Sequence, residues 1–213
     1  MTKPAVDFNL YLVTDRNNTR GREISRVVEE ALKGGVKAVQ LREKDLTSRD
    51  LYAIAYELRK LTAHHDARLF INDRIDIALA VGADGVHLGT SSIPVHRARK
   101  ILGDKRLIGV SCHNRVSALN AQEKGADFIT FGPVFYTPSK AAYGDPVGVD
   151  KLAEIVELLR IPVYALGGVN RKNVSQVIEA GAHGIALISA ILAADDPHAE
   201  TKSLLSTLPI RED

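Results

Sequence analysis

The sequence predicts a closed (β/α)8 TIM barrel, a single α/β domain over residues 1–213. Three observations lead there. Short apolar, strand-like runs alternate with helical patterns from one end to the other, which implies a parallel sheet. Eight such runs occur within 213 residues, and barrels of this kind are typically ~250 residues and can be as short as ~200. A Gly-Ala motif also recurs before alternate strands: GADGV (82–86), GADFI (125–129), GAHGI (181–185) and, more loosely, GGVKA (34–38). That repeat suits a structure made of double units, although Gly-Ala-Asp is also simply a good helix stop. A doubly wound open sheet fits the alternation too. The strand count favours the barrel.

The elements follow in order. NLYLVTD (9–15) is the first strand. Ile24, Val27, Val28, Ala31 and Leu32 then recur at i, i+3, i+4, i+7 and i+8, one face of a helix. Gly34 and Gly35 stop it with a left-handed cap. VKAVQL (36–41) is strand two. Thr47 and Asp50 form a capping pattern before a helix carrying Leu51, Ile54, Ala55, Leu58 and Leu61. The later strands are ARLFIND (67–73), GVHLG (85–89), LIGVSCH (107–113), FITFGPV (128–134), PVYALGGV (162–169) and GIALISAI (184–191), with a last helical pattern through 197–207.

Composition narrows the function classes. Hydrophobic residues make up 45% and charged residues 25%, ordinary values for a soluble globular chain. A formal net charge of +2 points to no nucleic-acid or anionic-membrane partner. The single cysteine, Cys112, excludes an intrachain disulfide and a Cys-rich zinc site, and favours a reducing compartment. The N-terminal stretch lacks the apolar core of a signal peptide and no apolar run is long enough to span a bilayer, so a cytoplasmic protein is expected. Whether copies of the chain associate is left open.

Barrels of this type carry their active sites at the C-terminal ends of the strands. The ends of strands two to eight are rich in polar groups. VQLREK (39–44) closes strand two with Gln40, Arg42, Glu43 and Lys44. Strand alternation puts Gln40 and Arg42 on one face, with Lys44 able to follow, and Val39 and Leu41 on the other. A charge run in isolation is usually a solvated loop. Here further strand ends add Asn72, Asp73, Ser111, Thr137, Ser139 and Lys140. Cations combined with hydroxyls make a phosphate site, through charge-assisted hydrogen bonds to phosphate oxygens.

ALGGVNRKN (165–173) points the same way: Gly167 and Gly168 allow close backbone approach to a ligand, and Asn170 could cap an anion-attracting helix. With ISA (188–190) in the next loop, phosphate binding is the expectation, and the expected partners are small phosphorylated molecules. His87, inside an apolar strand, reads as a hydrogen-bonded core residue. His113, just past a strand end, is a candidate general base. Asp73 is one carboxylate, which with phosphate oxygens could hold Mg²⁺. Cys112 has no evident activating partner.

VQLREK, FINDR, DGVHLG, GVSCH, GPVFYTPSK, ALGGV and ALISAI occur in an order that resembles thiamine phosphate synthase and its relative, thiazole tautomerase, from about residue 9 to 192. The resemblance implies a barrel enzyme that joins hydroxymethylpyrimidine diphosphate to thiazole phosphate and releases pyrophosphate. It implies that Gln40, Leu41, Arg42, Glu43, Lys44 and Asn72 hold the pyrimidine diphosphate, with Ser111 and Lys140 near it. Asp73 would bind Mg²⁺. Thr137, Pro138 and Ser139 would contact the thiazole, and Gly168, Ile188 and Ser189 its phosphate. One departure stands out. After DGVHLG the synthases usually read Gln-Glu-Asp, and here Ser92 occupies the place of that second carboxylate ligand. Two alternatives accompany the synthase: a metal-independent tautomerase using His113, and a non-catalytic binder of thiamine precursors.

Overall fold

The structure is a computed structural model that describes residues 4–138 and 145–209. Its strands are β1 (Leu10–Val13), β2 (Ala38–Leu41), β3 (Arg68–Asn72), β4 (Gly85–Leu88), β5 (Leu107–Cys112), β6 (Phe128–Phe131), β7 (Val163–Leu166) and β8 (Gly184–Leu187). They close into a parallel barrel in chain order. The closing pair is β1 with β8, in the register Leu10↔Ile185, Tyr11↔Ala186 and Leu12↔Leu187. Around it stand α1 (Ile24–Lys33), α2 (Ser48–His64), α3 (Ile75–Val81), α4 (Val95–Leu102), α5 (Arg115–Glu123), α6 (Gly148–Leu158), α7 (Val174–Glu179), α8 (Ser189–Leu192) and α9 (Pro197–Leu205). Among the described residues, no helix is long and apolar enough to cross a membrane.

Local sequence explains most of these elements. Helix α1 buries Ile24, Val27, Val28, Ala31 and Leu32, the face that its apolar spacing marks. The Thr47 hydroxyl accepts from the Asp50 amide at 3.2 Å and so caps α2. The two glycines after α1 divide their work. Gly34 is right-handed (φ −72), and a Cβ there would lie 2.7 Å from Thr201 Cβ of α9. Gly35 alone takes the left-handed conformation, at φ +108. Strand eight is shorter than its apolar run suggests: β8 ends at Leu187, and Ser189–Leu192 is a helical turn. A continuous apolar run does not distinguish strand from buried helix.

Alternation along each strand makes two cores. Outward residues such as Leu12, Val39, Leu41, Ile71 and Val86 pack beneath the helices. Inward residues fill the barrel: Phe8 and Tyr11, Phe70, Phe128 and Tyr164 are buried together with Val13, Ala38, Leu107 and Ala186. Phe8 stacks on Tyr164 with ring centroids 5.1 Å apart, and Tyr11, Phe70 and Phe128 meet edge to face. Glycines make the room. A Cβ on Gly85 would strike the Phe70 ring, and one on Gly109 would meet both Phe128 and His87.

The Gly-Ala repeat has a physical reason. Gly82, Gly125 and Gly181 all have positive φ and end their helices. The aspartates two residues after the first two then do the same job. Asp84 accepts from the Leu69 amide of β3 and pairs with Arg59 of α2. Asp127 accepts from the Ile108 amide of β5 and pairs with Arg99 of α4. Each repeat therefore ties a helix to the foot of a strand through one carboxylate. The Asp127 side chain is 3% exposed and that of Asp84 31%. Removing one partner of a buried pair is the more damaging change. Asp127→Ala should therefore destabilise the fold by about 3 kcal/mol and Asp84→Ala by about 1 kcal/mol, read from urea denaturation midpoints.

Candidate active site

Above the aromatic layer the barrel interior turns polar. Gln40 on β2, Tyr11 on β1, His87 on β4, Ser111 on β5 and Thr130 on β6 all point inward. The Gln40 amide donates to Tyr11 OH at 3.2 Å. Tyr11 is fully buried, and burial holds its phenol well above the ordinary pKa, so it stays protonated and can donate to His87 Nδ1 at 3.4 Å. His87 Nε2 lies 3.0 Å from Ser111 Oγ and 3.4 Å from Thr130 Oγ1. With Nδ1 accepting, Nε2 carries the proton and donates to Ser111. The hydroxyl hydrogen of Ser111 is then left for an acceptor at the mouth. Burial, and to a lesser degree the Arg42 charge, take the His87 pKa from 6.5 down to about 3. His87 is thus a neutral, hydrogen-bonded core residue.

The mouth is ringed by the ends of all eight strands, and the sequence-predicted residues that are described lie at or just beyond those ends. Gln40 is buried in the interior chain. Arg42 is half-buried and Lys44 exposed, and neither has an acidic partner among the described residues. Leu41 is fully buried on the outer face, in the core beneath the helices, so its side chain is turned away from the mouth. Glu43 is also turned outward. Its carboxylate accepts from Thr14 Oγ1 at 2.7 Å, from the Arg16 amide at 3.2 Å and from Arg16 Nη1 at 3.2 Å.

Asn72 is half-buried at the end of β3, level with His87. Asp73 follows in a left-handed conformation (φ +64), its amide bonded to the His87 carbonyl. Its exposed carboxylate makes no hydrogen bond or ion pair among the described residues. Ser92, in the loop after β4, accepts from the Gly89 amide at 2.8 Å.

The remaining strand ends complete the rim. His113 is exposed, and its Nδ1 lies 2.5 Å from the Gly132 carbonyl. A carbonyl only accepts, so that nitrogen carries the proton and Nε2 is the basic one. Cys112 is buried, and burial pushes its thiol up to about 12. Thr137 is half-buried and Pro138 exposed after β6. Ser139 and Lys140 lie outside the described residues. Ile188 is half-buried and Ser189 exposed at the start of α8.

Two expectations for the β7 loop change. A Cβ on Gly167 would meet Pro133 at 2.5 Å, and one on Gly168 would meet the Tyr136 carbonyl at 2.6 Å. The close approach that these glycines permit is to the β6 loop. Asn170 does not cap α7: its side-chain oxygen accepts from the Lys172 amide within the turn, and α7 begins at Val174.

Sequence reasoning passed over Thr14, Arg16, Tyr11 and Thr130. Thr14 sits at the C-terminal end of β1, and reading that strand end like the other seven would have found it. Arg16 reaches Glu43 and Asp45 across nearly thirty residues, and no local pattern marks such a contact.

The neutral His87 also has a stability consequence. Between pH 6.5 and about 3 the unfolded chain takes up a proton that the folded chain refuses. The unfolded state binds more protons there, so stability rises with pH, and acidification weakens the fold by about 1.4 kcal/mol per pH unit from this group. Denaturant titrations across that window should show His87→Gln with a shallower acid slope than the wild type.

Comparison with known proteins agrees with this architecture. A homologue from Geobacter sulfurreducens is 58% identical over 206 residues, 97% of each chain. A thiamine-phosphate synthase from Clostridium novyi is 47% identical over 199 residues, 93% of this chain and 98% of its own. The solved thiamine phosphate pyrophosphorylase from Pyrococcus furiosus superposes with a TM-score of 0.86 at 40% identity, covering 94% of this chain and 95% of that one. With residues 10–191 matching the family as a whole, the chain belongs to the thiamine monophosphate synthase family.

Proposed function

We propose that the protein joins hydroxymethylpyrimidine diphosphate to thiazole phosphate, forming thiamine phosphate and pyrophosphate. The observation that carries this reading is the rim itself: Arg42 and Lys44, two cations without acidic partners among the described residues, follow the end of β2, and the neighbouring β3 ends in the amide of Asn72 and the carboxylate of Asp73, unpaired among the described residues. The bond exchange needs no proton transfer. The C–O bond to the diphosphate breaks and its electron pair leaves with the phosphate oxygen. The thiazole nitrogen then supplies the pair for the new C–N bond to the pyrimidine methylene. The protein's task is to orient the substrates and neutralise charge that grows on the leaving diphosphate. Arg42 and Lys44 meet that charge with charge-assisted hydrogen bonds. Ser111, its oxygen held by His87, adds a neutral donor. The β7 and β8 ends, with Gly168, Ile188 and Ser189, are left for the thiazole phosphate, and Thr137 to Ser139 for the thiazole itself. Lys140, outside the described residues, is assigned to the diphosphate by the family resemblance alone.

Mg²⁺ fits the residues present. This ion commonly takes one or two carboxylates together with substrate phosphate oxygens and water. Asp73 offers one free carboxylate, and among the described residues no three His, Cys, Asp or Glu side chains come together to hold an ion without substrate. Bound there, Mg²⁺ would supply Lewis-acid neutralisation of the diphosphate oxygens. Ser92 is a poor replacement for a second carboxylate, because a neutral hydroxyl lacks the anionic oxygen a hard cation takes, and one of its lone pairs already accepts from the Gly89 amide.

His113 supports a second reading. With Nε2 basic and exposed, it could move a proton on a thiazole carboxylate phosphate, as a tautomerase does. The names carried by the relatives weigh for the synthase.

Two measurements decide. Purified protein given both substrates and Mg²⁺ should form thiamine phosphate, detected by fluorescence after oxidation. Arg42→Ala should lower turnover by about 10²-fold. Thiazole isomerisation without any thiamine phosphate would reverse the assignment, and ligand binding without either product would leave only a binding protein. Ser92→Asp should tighten Mg²⁺ and raise turnover, since one carboxylate oxygen can keep the Gly89 bond while the other meets the ion. Unchanged metal dependence in that variant would count against Asp73 as the metal's anchor.

A further inference from the structure

Glu43 lies between two cations of the rim, yet its side chain leaves the mouth entirely. It is 2% exposed and carries a charge that burial alone would make costly. Three donors from the first strand's end satisfy it: the Thr14 hydroxyl, the Arg16 amide and the Arg16 guanidinium. Thr14 serves two masters. While donating to Glu43, its oxygen accepts from the Arg42 amide at 2.9 Å. The Thr14 amide in turn donates to the Gln40 carbonyl, extending the β1–β2 ladder one step beyond the strands. Arg16 reaches further still, closing a two-pronged contact on Asp45, with Nη1 2.6 Å from Oδ1 and Nη2 2.5 Å from Oδ2. Residues 42 to 45 are thereby held at three successive points from β1. Arg42 is held by its backbone, Glu43 and Asp45 by their carboxylates. Lys44 sits between the last two, so the backbone that carries it is anchored on both sides.

We infer that Thr14, Arg16 and Glu43 form a brace whose function is to aim Arg42 and Lys44 at the diphosphate end of the substrate, which makes Arg16 and Thr14 positioning residues for a reaction they do not touch. The contacts separate the roles. Gln40 is buried in the interior, Arg42 follows it close enough for its charge to act on His87, Glu43 and Asp45 are tied to Arg16, and Lys44 is exposed between those two anchors. A loop of alternating charge would otherwise fold its acids onto its bases. Here the two acids are claimed by Arg16, and the two cations, unpaired among the described residues, are left for an anionic ligand. This deepens the synthase reading and rests on it.

The test uses an isosteric pair. Thr14→Val removes both hydrogen bonds and keeps the side-chain shape, whereas Thr14→Ser keeps the hydroxyl. Thr14→Val should raise KM for the pyrimidine diphosphate about tenfold and weaken calorimetric binding of inorganic pyrophosphate with Mg²⁺ to a similar degree. KM for thiazole phosphate should stay within about twofold, and Thr14→Ser should restore both diphosphate readouts. Arg16→Ala should reproduce the Thr14→Val pattern. Circular dichroism and melting confirm that each variant is folded. Variants that are folded but bind pyrophosphate as the wild type does would overturn the brace. So would equal losses for both substrates, which is what a merely structural role produces. Wild-type protein that binds pyrophosphate but makes no thiamine phosphate would sink the synthase reading and leave the brace to be judged on binding. Wild-type protein that binds no pyrophosphate would overturn both.

Discussion

The barrel closes around five aromatic rings, and the fold depends on the space left for them. Phe8, Tyr11, Phe70, Phe128 and Tyr164 fill the lower interior. They fit because β4 and β5 present backbone, at Gly85 and Gly109, where a side chain would collide with Phe70 or Phe128. Protein interiors tolerate little overpacking. Once this layer is full, the next inward residues rise to the level of the mouth, polar on β2 to β6, while Val13, Leu166 and Ile188 keep the β1, β7 and β8 side apolar. Gln40, His87, Ser111 and Thr130 stand there because the rings beneath them occupy the rest.

Charge is sorted by face on the same principle. The interior above the rings is hydrogen-bonded and neutral, with His87 held unprotonated by burial and by the Arg42 cation. Positive charge is confined to the rim. The acids that would cancel it lie on the outer side, where Arg16 holds Glu43 and Asp45. A dry, neutral floor beneath unpaired cations is a setting in which a diphosphate meets fixed donors in place of water.

Much of this was legible in the sequence. The alternation and number of strand runs indicated the barrel, helical spacing the buried face of α1, and strand alternation the outward turn of Leu41, because periodicity follows directly from backbone geometry. Reading strand ends found most of the rim. What escaped was long-range. Glu43 looked like a neighbour of Arg42 and Lys44, but its partners come from another strand. Gly167 and Gly168 announced a close approach without saying to what, and the answer was the β6 loop. Strand eight ran on in the sequence because ISAI is as apolar in a helical turn as in a strand. Asn170 held the right chemistry for a cap but turned it inward on its own loop.

The closing pair adds a temporal constraint. β1 lies between β2 and β8, so the strand whose end steadies residues 42 to 45 gains its second neighbour only when β8, the last of the eight strands in chain order, pairs with it. Contacts of such long sequence separation form late in folding, and chains are made from the N-terminus onward. Arg42 and Lys44 are therefore synthesised early and aimed late. A nascent chain still lacking β8 holds both cations before the strand that braces them is paired on both sides, so competence for phosphate chemistry waits on barrel closure.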